Sequence, residues 1–182
     1  CGLTSGCCED LASALRTNHS NLTELDLSSN NKLGFSGVRL LCAALKDPNC
    51  KLQKLKLKRC GLTSGCCEDL ASALRTNHSN LTELDLSSND KLMYSGVRLL
   101  CAALRDPNCK LQILSLLSPN LCRLWRCRLT SRCCEDLASA LCTNHSTLTE
   151  LDLRANDQLG NSGVRLLCAA LKDPNCKLQT LW

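Results

Sequence analysis

One short motif returns six times along this chain, and it leaves little freedom in how the chain can fold. Leu22-x-x-Leu25-x-Leu27-x-x-Asn30 sets the spacing L-x-x-L-x-L-x-x-N/C. The same spacing recurs at Leu52, Leu55, Leu57 and Cys60, at Leu81, Leu84, Leu86 and Asn89, and at Leu148, Leu151, Leu153 and Asn156. Leu111, Leu114 and Leu116 begin another copy, and Leu178 and Leu181 begin the last. A longer block, Cys1-Gly2-Leu3-Thr4-Ser5-Gly6-Cys7-Cys8, returns intact from Cys60 to Cys67 and altered from Cys127 to Cys134. Self-similarity of this period marks stacked supersecondary units rather than a single central core.

Each unit can be read physically. Leu25 and Leu27 alternate with Glu24 and Asp26, which predicts a short strand with one buried face. Cys8, Leu11, Ala12 and Leu15 have helical spacing, as do Val38, Leu41, Cys42 and Leu45. Ser36 is a candidate N-cap for the second of these helices, and Asp47-Pro48-Asn49 is a turn signal that stops it. Neither a lone strand nor a lone helix buries its apolar side, so successive units must stack. The expected fold class is α/β: a leucine-rich-repeat solenoid, a horseshoe with a parallel sheet on the concave face and helices on the convex face. Units are expected at 22–51, 52–80, 81–110, 111–147 and 148–177, with partial units at 1–21 and 178–182 of one repeat domain. Neither end shows the atypical polar cap of a terminal repeat, so residues 1–182 are expected to be a fragment of a longer array. The Asn or Cys that closes each strand is expected to be structural. A stacked Asn amide would satisfy backbone groups where the chain leaves the sheet, while Cys60 and Cys127 would fill the same place as small apolar groups.

Two unit types alternate, one carrying Leu-Thr-Ser-x-Cys-Cys and the other Ser-Gly-Val-Arg-Leu-Leu-Cys. On the block Cys60 to Cys67, on Leu81-Thr-Glu-Leu-Asp-Leu86 and on Gly96-Val-Arg-Leu-Leu-Cys101, the chain resembles the ribonuclease-inhibitor type of leucine-rich repeat. It is most similar to the repeats of NACHT-containing cytosolic innate-immune receptors of the NLRP kind. The resemblance implies a protein-binding, ligand-sensing or autoinhibitory region. Its partners would be proteins: the receptor's own NACHT domain, other receptor copies, with a homo-oligomer in the full-length protein, or an unknown ligand.

Seventeen cysteines in 182 residues admit three readings. Their number is odd and no secretory signal precedes them, which argues against a disulfide framework. The repeated pairs are adjacent Cys-Cys, whereas zinc ligand pairs usually have two to four residues between them. Most recur at fixed phases of the repeat, so the reading taken is small buried apolar side chains in a reducing, cytoplasmic compartment. Cys122 and Cys142 break the phase and are expected to be surface thiols. Asn18, Asn21, Asn77, Asn80 and Asn144 match the glycosylation pattern, but they are copies of two sites, and Asn21 adjoins a strand leucine expected to be buried. His19, His78 and His145 occupy one repeated turn position, about a repeat apart, too far to share a metal. No phosphate loop, dinucleotide fingerprint, H-E-x-x-H or G-x-S-x-G motif is present. The Glu-Asp pairs at 9–10, 68–69 and 135–136 fall early in each helix, where negative charge suits the positive end of the dipole. No catalytic residue, cofactor or metal is implied, and no apolar run is long enough to span a membrane.

Binding would fall on the outward strand positions of the concave face. These are Glu24, Asp26 and Ser28, then Lys54, Lys56 and Lys58, then Glu83, Asp85 and Ser87, then Glu150, Asp152 and Arg154. A basic stripe lies between acidic ones. With strands about 4.8 Å apart, Lys56 is expected to pair with Asp26 or Asp85. Two readings stay open: a self-neutralised surface, or a mixed-charge docking face for a protein. The net charge of +5 favours acidic partners, but aromatic side chains for base stacking are scarce, which argues against nucleic acid. The stretch from Leu117 to Leu124 is about eight residues longer than its place requires. Pro119 would interrupt a central strand there, and three readings stay open: a bulged loop that exposes Trp125 as a binding anchor, a flaw of the gene model, or a degenerating unit. Besides the receptor module, a ribonuclease-inhibitor-like cytosolic inhibitor and a purely structural scaffold are the alternatives. The resemblance implies an acidic, aromatic-rich inhibitor for basic ribonucleases, and this chain is basic and aromatic-poor.

Overall fold

The computed structural model describes residues 2–117 and 129–182. Short strands alternate with longer helices along the chain. They are α1 (Ser5–Leu15), β1 (Glu24–Asp26), α2 (Gly34–Leu45), β2 (Lys54–Lys56), α3 (Ser64–Leu74), β3 (Glu83–Asp85), α4 (Met93–Leu104), β4 (Ile113–Ser115), α5 (Ser131–Leu141), β5 (Glu150–Asp152), α6 (Gly160–Ala170) and β6 (Thr180–Leu181). The strands form one parallel sheet in sequence order, β1 to β6. Its register aligns the central leucines in one rung: Leu25, Leu55, Leu84, Leu114, Leu151 and Leu181. Leu55, Leu84, Leu114 and Leu151 are almost wholly shielded from water by the helices behind. Burying each such side chain contributes roughly 1.5–3 kcal/mol. The predicted α/β leucine-rich-repeat solenoid is therefore the observed architecture.

Register survives the longest step. Ile113 pairs with Glu150 and Leu114 with Leu151, although this step is longer than its neighbours by the surplus around 117–124. The expectations placed on Pro119, Cys122, Trp125 and Cys127 lie outside the described residues.

Where β1, β2, β3 and β5 end, the chain turns off the sheet through a residue with left-handed backbone: Ser29, Arg59, Ser88 and Ala155, with φ of 65°, 55°, 61° and 58°. The residue after it does the work predicted for asparagine. The Asn89 amide donates to the carbonyls of Leu57 and Leu86, each at 2.8 Å, and its oxygen accepts from the backbone N–H of Cys60 at 2.9 Å and of Leu62 at 3.1 Å. Asn30 and Asn156 donate in the same way to Leu27 and Leu153. Cys60 corrects the apolar reading of its position. Its thiol lies 3.0 Å from the Leu27 carbonyl and donates to it, so it supplies a weak version of the Asn bond.

The alternation of unit types has a packing cause. Each Cys-Cys helix sits tightly against the Ser-Gly-Val helix that follows, more so than against the helix before. A Cβ added at Gly37, Gly96 or Gly163 would stand 3.0, 2.9 or 2.9 Å from the sulfur of Cys8, Cys67 or Cys134 respectively. Glycine therefore lets the second cysteine of each pair press onto the neighbouring helix backbone. Most other cysteines are buried as expected, with three exceptions: Cys7 on α1 and Cys168 on α6 are exposed, and Cys176 is half-buried. Cys142 is half-buried rather than a surface thiol. Burial, helped by the neighbouring Cys66, pushes the Cys67 thiol up to about 12; burial and Cys133 push Cys134 up to about 11. A thiol held protonated is a poor nucleophile, which suits a packing role.

Three smaller expectations are corrected. Helix α2 begins at Gly34, so Ser36 lies inside it and is not its N-cap. The cap position is Leu33, with no side-chain cap, and the start is made by Gly34 at φ 58°. Leu22, just before the edge strand β1, is 41% exposed rather than buried. The Glu-Asp pairs fall beyond the first helical turn, too far in to meet the dipole end. Asp136 instead faces Arg105 of the preceding α4-to-β4 turn, at 3.8 Å.

Candidate concave binding face

Parallel strands in register turn equivalent side chains into rows. The first row on the concave side runs Glu24, Lys54, Glu83, Ile113, Glu150, Thr180. The second runs Asp26, Lys56, Asp85, Ser115, Asp152, with Trp182 next to Asp152 across the β5–β6 ladder, where the Leu153 N–H donates to the Trp182 carbonyl at 2.8 Å. Just beyond lie Ser28, Lys58, Ser87, Leu117 and Arg154. The structure thus brings together every charged candidate read from the sequence; Trp125 alone lies outside the described residues.

The charges pair differently from expectation. Lys56 reaches Glu24, at 2.6 Å, not Asp26 or Asp85. Lys54 reaches Glu83 at 3.3 Å. The aspartates are occupied locally. The Asp26 carboxylate accepts the N–H of Ser28 at 2.8 Å, Asp85 accepts that of Ser87 at 2.8 Å, and Asp152 that of Arg154 at 3.0 Å. A short aspartate side chain folds back on its own backbone in this Asx turn, whereas glutamate is long enough to cross to the next strand. The Lys56 hydrogen bond and charge hold the Glu24 carboxyl below its ordinary value, and the hydrogen bonds from Ser28 lower Asp26.

On β5 the arrangement is tighter. Asp152 is 7% exposed and accepts two side-chain bonds from Arg154, from Nε at 3.0 Å and from the terminal nitrogen at 2.8 Å. Burial alone would raise the Asp152 carboxyl, but the Arg154 hydrogen bonds and charge outweigh it and leave it lowered. The Arg154 guanidinium also lies 5.9 Å from the Trp182 ring centre, within cation–π range.

Two features were missed in the sequence. Strand β4 turns uncharged, half-exposed Ile113 and Ser115 into a face that is otherwise charged, with half-exposed Leu117 just beyond. The signal was present as the broken alternation of Ile113-Leu114-Ser115-Leu116-Leu117. Trp182 was counted only as one of few aromatics, and its contact with Arg154 needed the β5–β6 pairing. Among the described residues, Glu150 and Lys58 carry no ion pair.

An apolar cleft lined by Leu86, Ser88, Leu92, Met93, Val97, Leu116, Leu117 and Leu129 contains no titratable group. Among the described residues no group of three or more His, Cys, Asp or Glu side chains is placed to hold a metal ion, and no helix is long and apolar enough to cross a membrane.

The rows, the asparagine ladder and the helix backing define a leucine-rich-repeat solenoid. Comparison with known proteins agrees. The leucine-rich-repeat model matches residues 18–42, 77–101 and 144–168. Over its whole length the chain is 49% identical to NACHT, LRR and PYD domains-containing protein 12 of Homo sapiens, covering 16% of that protein. It is also 45% identical over its whole length to the ribonuclease inhibitor of Mus musculus, covering 37% of it. The chain therefore spans well under half the length of these relatives. Among solved structures, the leiomodin-1 actin-binding site 2 superposes with a TM-score of 0.63 over 89% of this chain and 88% of that one; at 14% identity this likeness shows the fold alone.

Proposed function

We propose that the chain is a protein-docking module and no enzyme, with the concave face as its binding surface and an innate-immune receptor of the NACHT type as its setting. The observation that carries the reading is the unevenness of that face. Ion pairs join charges on β1 to β3, while among the described residues neither Lys58 nor Glu150, which lies beside half-exposed Ile113, forms one. A partially apolar centre ringed by polar groups is the usual anatomy of a protein interface. The proposed site comprises Glu24, Asp26, Lys54, Lys56, Lys58, Glu83, Asp85, Glu150, Asp152 and Arg154. Half-identity to part of a NACHT protein supports the receptor's own NACHT domain, or a second receptor copy, as the partner. Every described cysteine is a free thiol, which supports a cytoplasmic setting.

The likeness to ribonuclease inhibitor supports a second reading, an inhibitor of ribonucleases. A chain of net charge +5 would be repelled by a basic ribonuclease, so it is the weaker of the two. One titration separates them. The chain and its Lys58→Glu/Glu150→Lys variant are titrated against a purified NACHT domain, against the chain itself and against a pancreatic-type ribonuclease. The docking reading expects binding to the NACHT domain or to the chain, weakened about tenfold in the charge-reversed variant. Binding to the ribonuclease alone, or equal binding by the variant, overturns it.

A further inference from the structure

The chain's surplus charge sits on one edge of the horseshoe. Six turns, at 16–21, 46–51, 75–80, 105–110, 142–147 and 172–177, lead from each helix into the strand that follows. Because the strands are parallel and in register, all six turns lie along the same edge of the sheet. Together they hold eight Lys and Arg against three Asp, a surplus of five, and the formal charge of the whole chain is +5. The remainder of the molecule is therefore neutral.

The edge is continuous. Asn49 donates to the Arg16 carbonyl at 3.2 Å and Lys51 to Asn21 at 2.9 Å, joining the first two turns. Asn80 donates to the Cys50 carbonyl at 2.9 Å, and Lys110 to the Asn77 carbonyl at 3.2 Å. Thr147 donates to the Cys109 carbonyl at 3.2 Å, and Lys177 to the Asn144 carbonyl at 3.3 Å. Six of the cations, Arg16, Lys51, Arg75, Lys110, Lys172 and Lys177, are exposed. The three aspartates are half-buried, each turned inward to accept the N–H of the asparagine two residues on, at 2.8–2.9 Å. Cations thus face water while the carboxylates of the same turns are occupied. The other two, Lys46 and Arg105, are half-buried, and Arg105 is drawn back to Asp136.

We propose that this edge is a second interaction surface, distinct from the concave face, and that it takes an extended acidic stretch of a partner protein. Six turns at strand spacing run about 24 Å, the length of roughly seven extended residues. The turns contain no Phe, Tyr or Trp on which a base would stack, their only rings being His19, His78 and His145, and no large apolar side chain to enter a lipid surface. Charge alone defines the site, and a line of charge suits a linear carboxylate-rich segment.

The test uses a fluorescein-labelled oligo-glutamate peptide and reads anisotropy for the whole chain. The variants are Lys51→Glu/Lys110→Glu/Lys177→Glu on the edge and Lys54→Glu/Lys56→Glu/Lys58→Glu on the concave face, which change net charge equally. The edge variant is expected to bind about tenfold more weakly and the concave variant within about twofold of the parent, with binding lost as salt rises. Should circular dichroism show the edge variant unfolded, Lys51→Gln/Lys110→Gln/Lys177→Gln takes its place, with a loss of about threefold expected. Equal weakening by edge and concave variants overturns the proposal, since net charge alone would then explain binding. So does tighter binding to phosphatidylserine vesicles or single-stranded DNA at the same salt, which would make the ligand a phosphate. Neither outcome touches the concave-face reading, whose test uses other partners.

Discussion

Helices α4 and α6 share the run Ser-Gly-Val-Arg-Leu-Leu-Cys-Ala-Ala-Leu, at 95–104 and 162–171, yet they are buried differently. Leu100 and Leu167 are 1% and 3% exposed, so the face turned to the sheet is closed in both. The other face diverges. Val97 is 1% exposed and Val164 53%; Leu104 is 2% exposed and Leu171 43%. Cys101 is fully buried and Cys168 exposed. Helix α5 packs on α4, whereas among the described residues only α5 packs on α6. Identical residues therefore contribute different amounts to stability. In a quasi-one-dimensional stack, much of what a repeat gains comes from the interface with its neighbour.

The largest test of this comparison is a matched pair of truncations. Leu104→Ala should lower stability by about 2–5 kcal/mol, the range for a buried leucine. Leu171→Ala, at a half-open site, should cost well under about 1 kcal/mol. Urea midpoints of the two variants, followed by circular dichroism, check this; equal shifts would mean that burial in α4 and α6 is not what separates them.

A substitution at the pair interface probes the other side of the same helix. Gly96→Ala places a Cβ at 2.9 Å from the Cys67 sulfur and 3.3 Å from the Ser64 Cα. The second neighbour is backbone and cannot swing away, so a loss of about 1–3 kcal/mol is expected. The double variant Gly96→Ala/Cys67→Ala should recover part of it, and a double-mutant cycle in urea measures the coupling. Additive losses would mean that sulfur and glycine do not share one contact.

The smallest effect sits at the start of these helices. Met93 has φ of 55°, where its equivalents Gly34 and Gly160 have 58° and 57°. A side chain in left-handed backbone costs about 1–2 kcal/mol, and glycine returns part of that through its freedom when unfolded. Met93→Gly should therefore raise stability by about 0.5–1 kcal/mol. A lowered urea midpoint would show that the exposed methionine contributes more through contact than it costs through strain.

Much of the molecule was legible before any coordinate. The leucine spacing implied the parallel sheet and its helical backing, because a half-apolar strand and a half-apolar helix have only each other to bury against. The asparagines after the strands announced their ladder, and the alternation of charge named the residues that line the concave face. What remained hidden depended on lengths and neighbours rather than residue types. Which lysine meets which carboxylate turned on glutamate being long enough to cross to the next strand while aspartate folds back on its own turn. Cys101 and Cys168 read alike in the chain, and only packing separates them. The basic edge was spread over six distant segments, each modestly charged, until parallel pairing set them side by side. Sequence specified the repeat through periodic burial, which is local and recurs. Tertiary structure decided the surface, because charges far apart along the chain become neighbours only when the strands align.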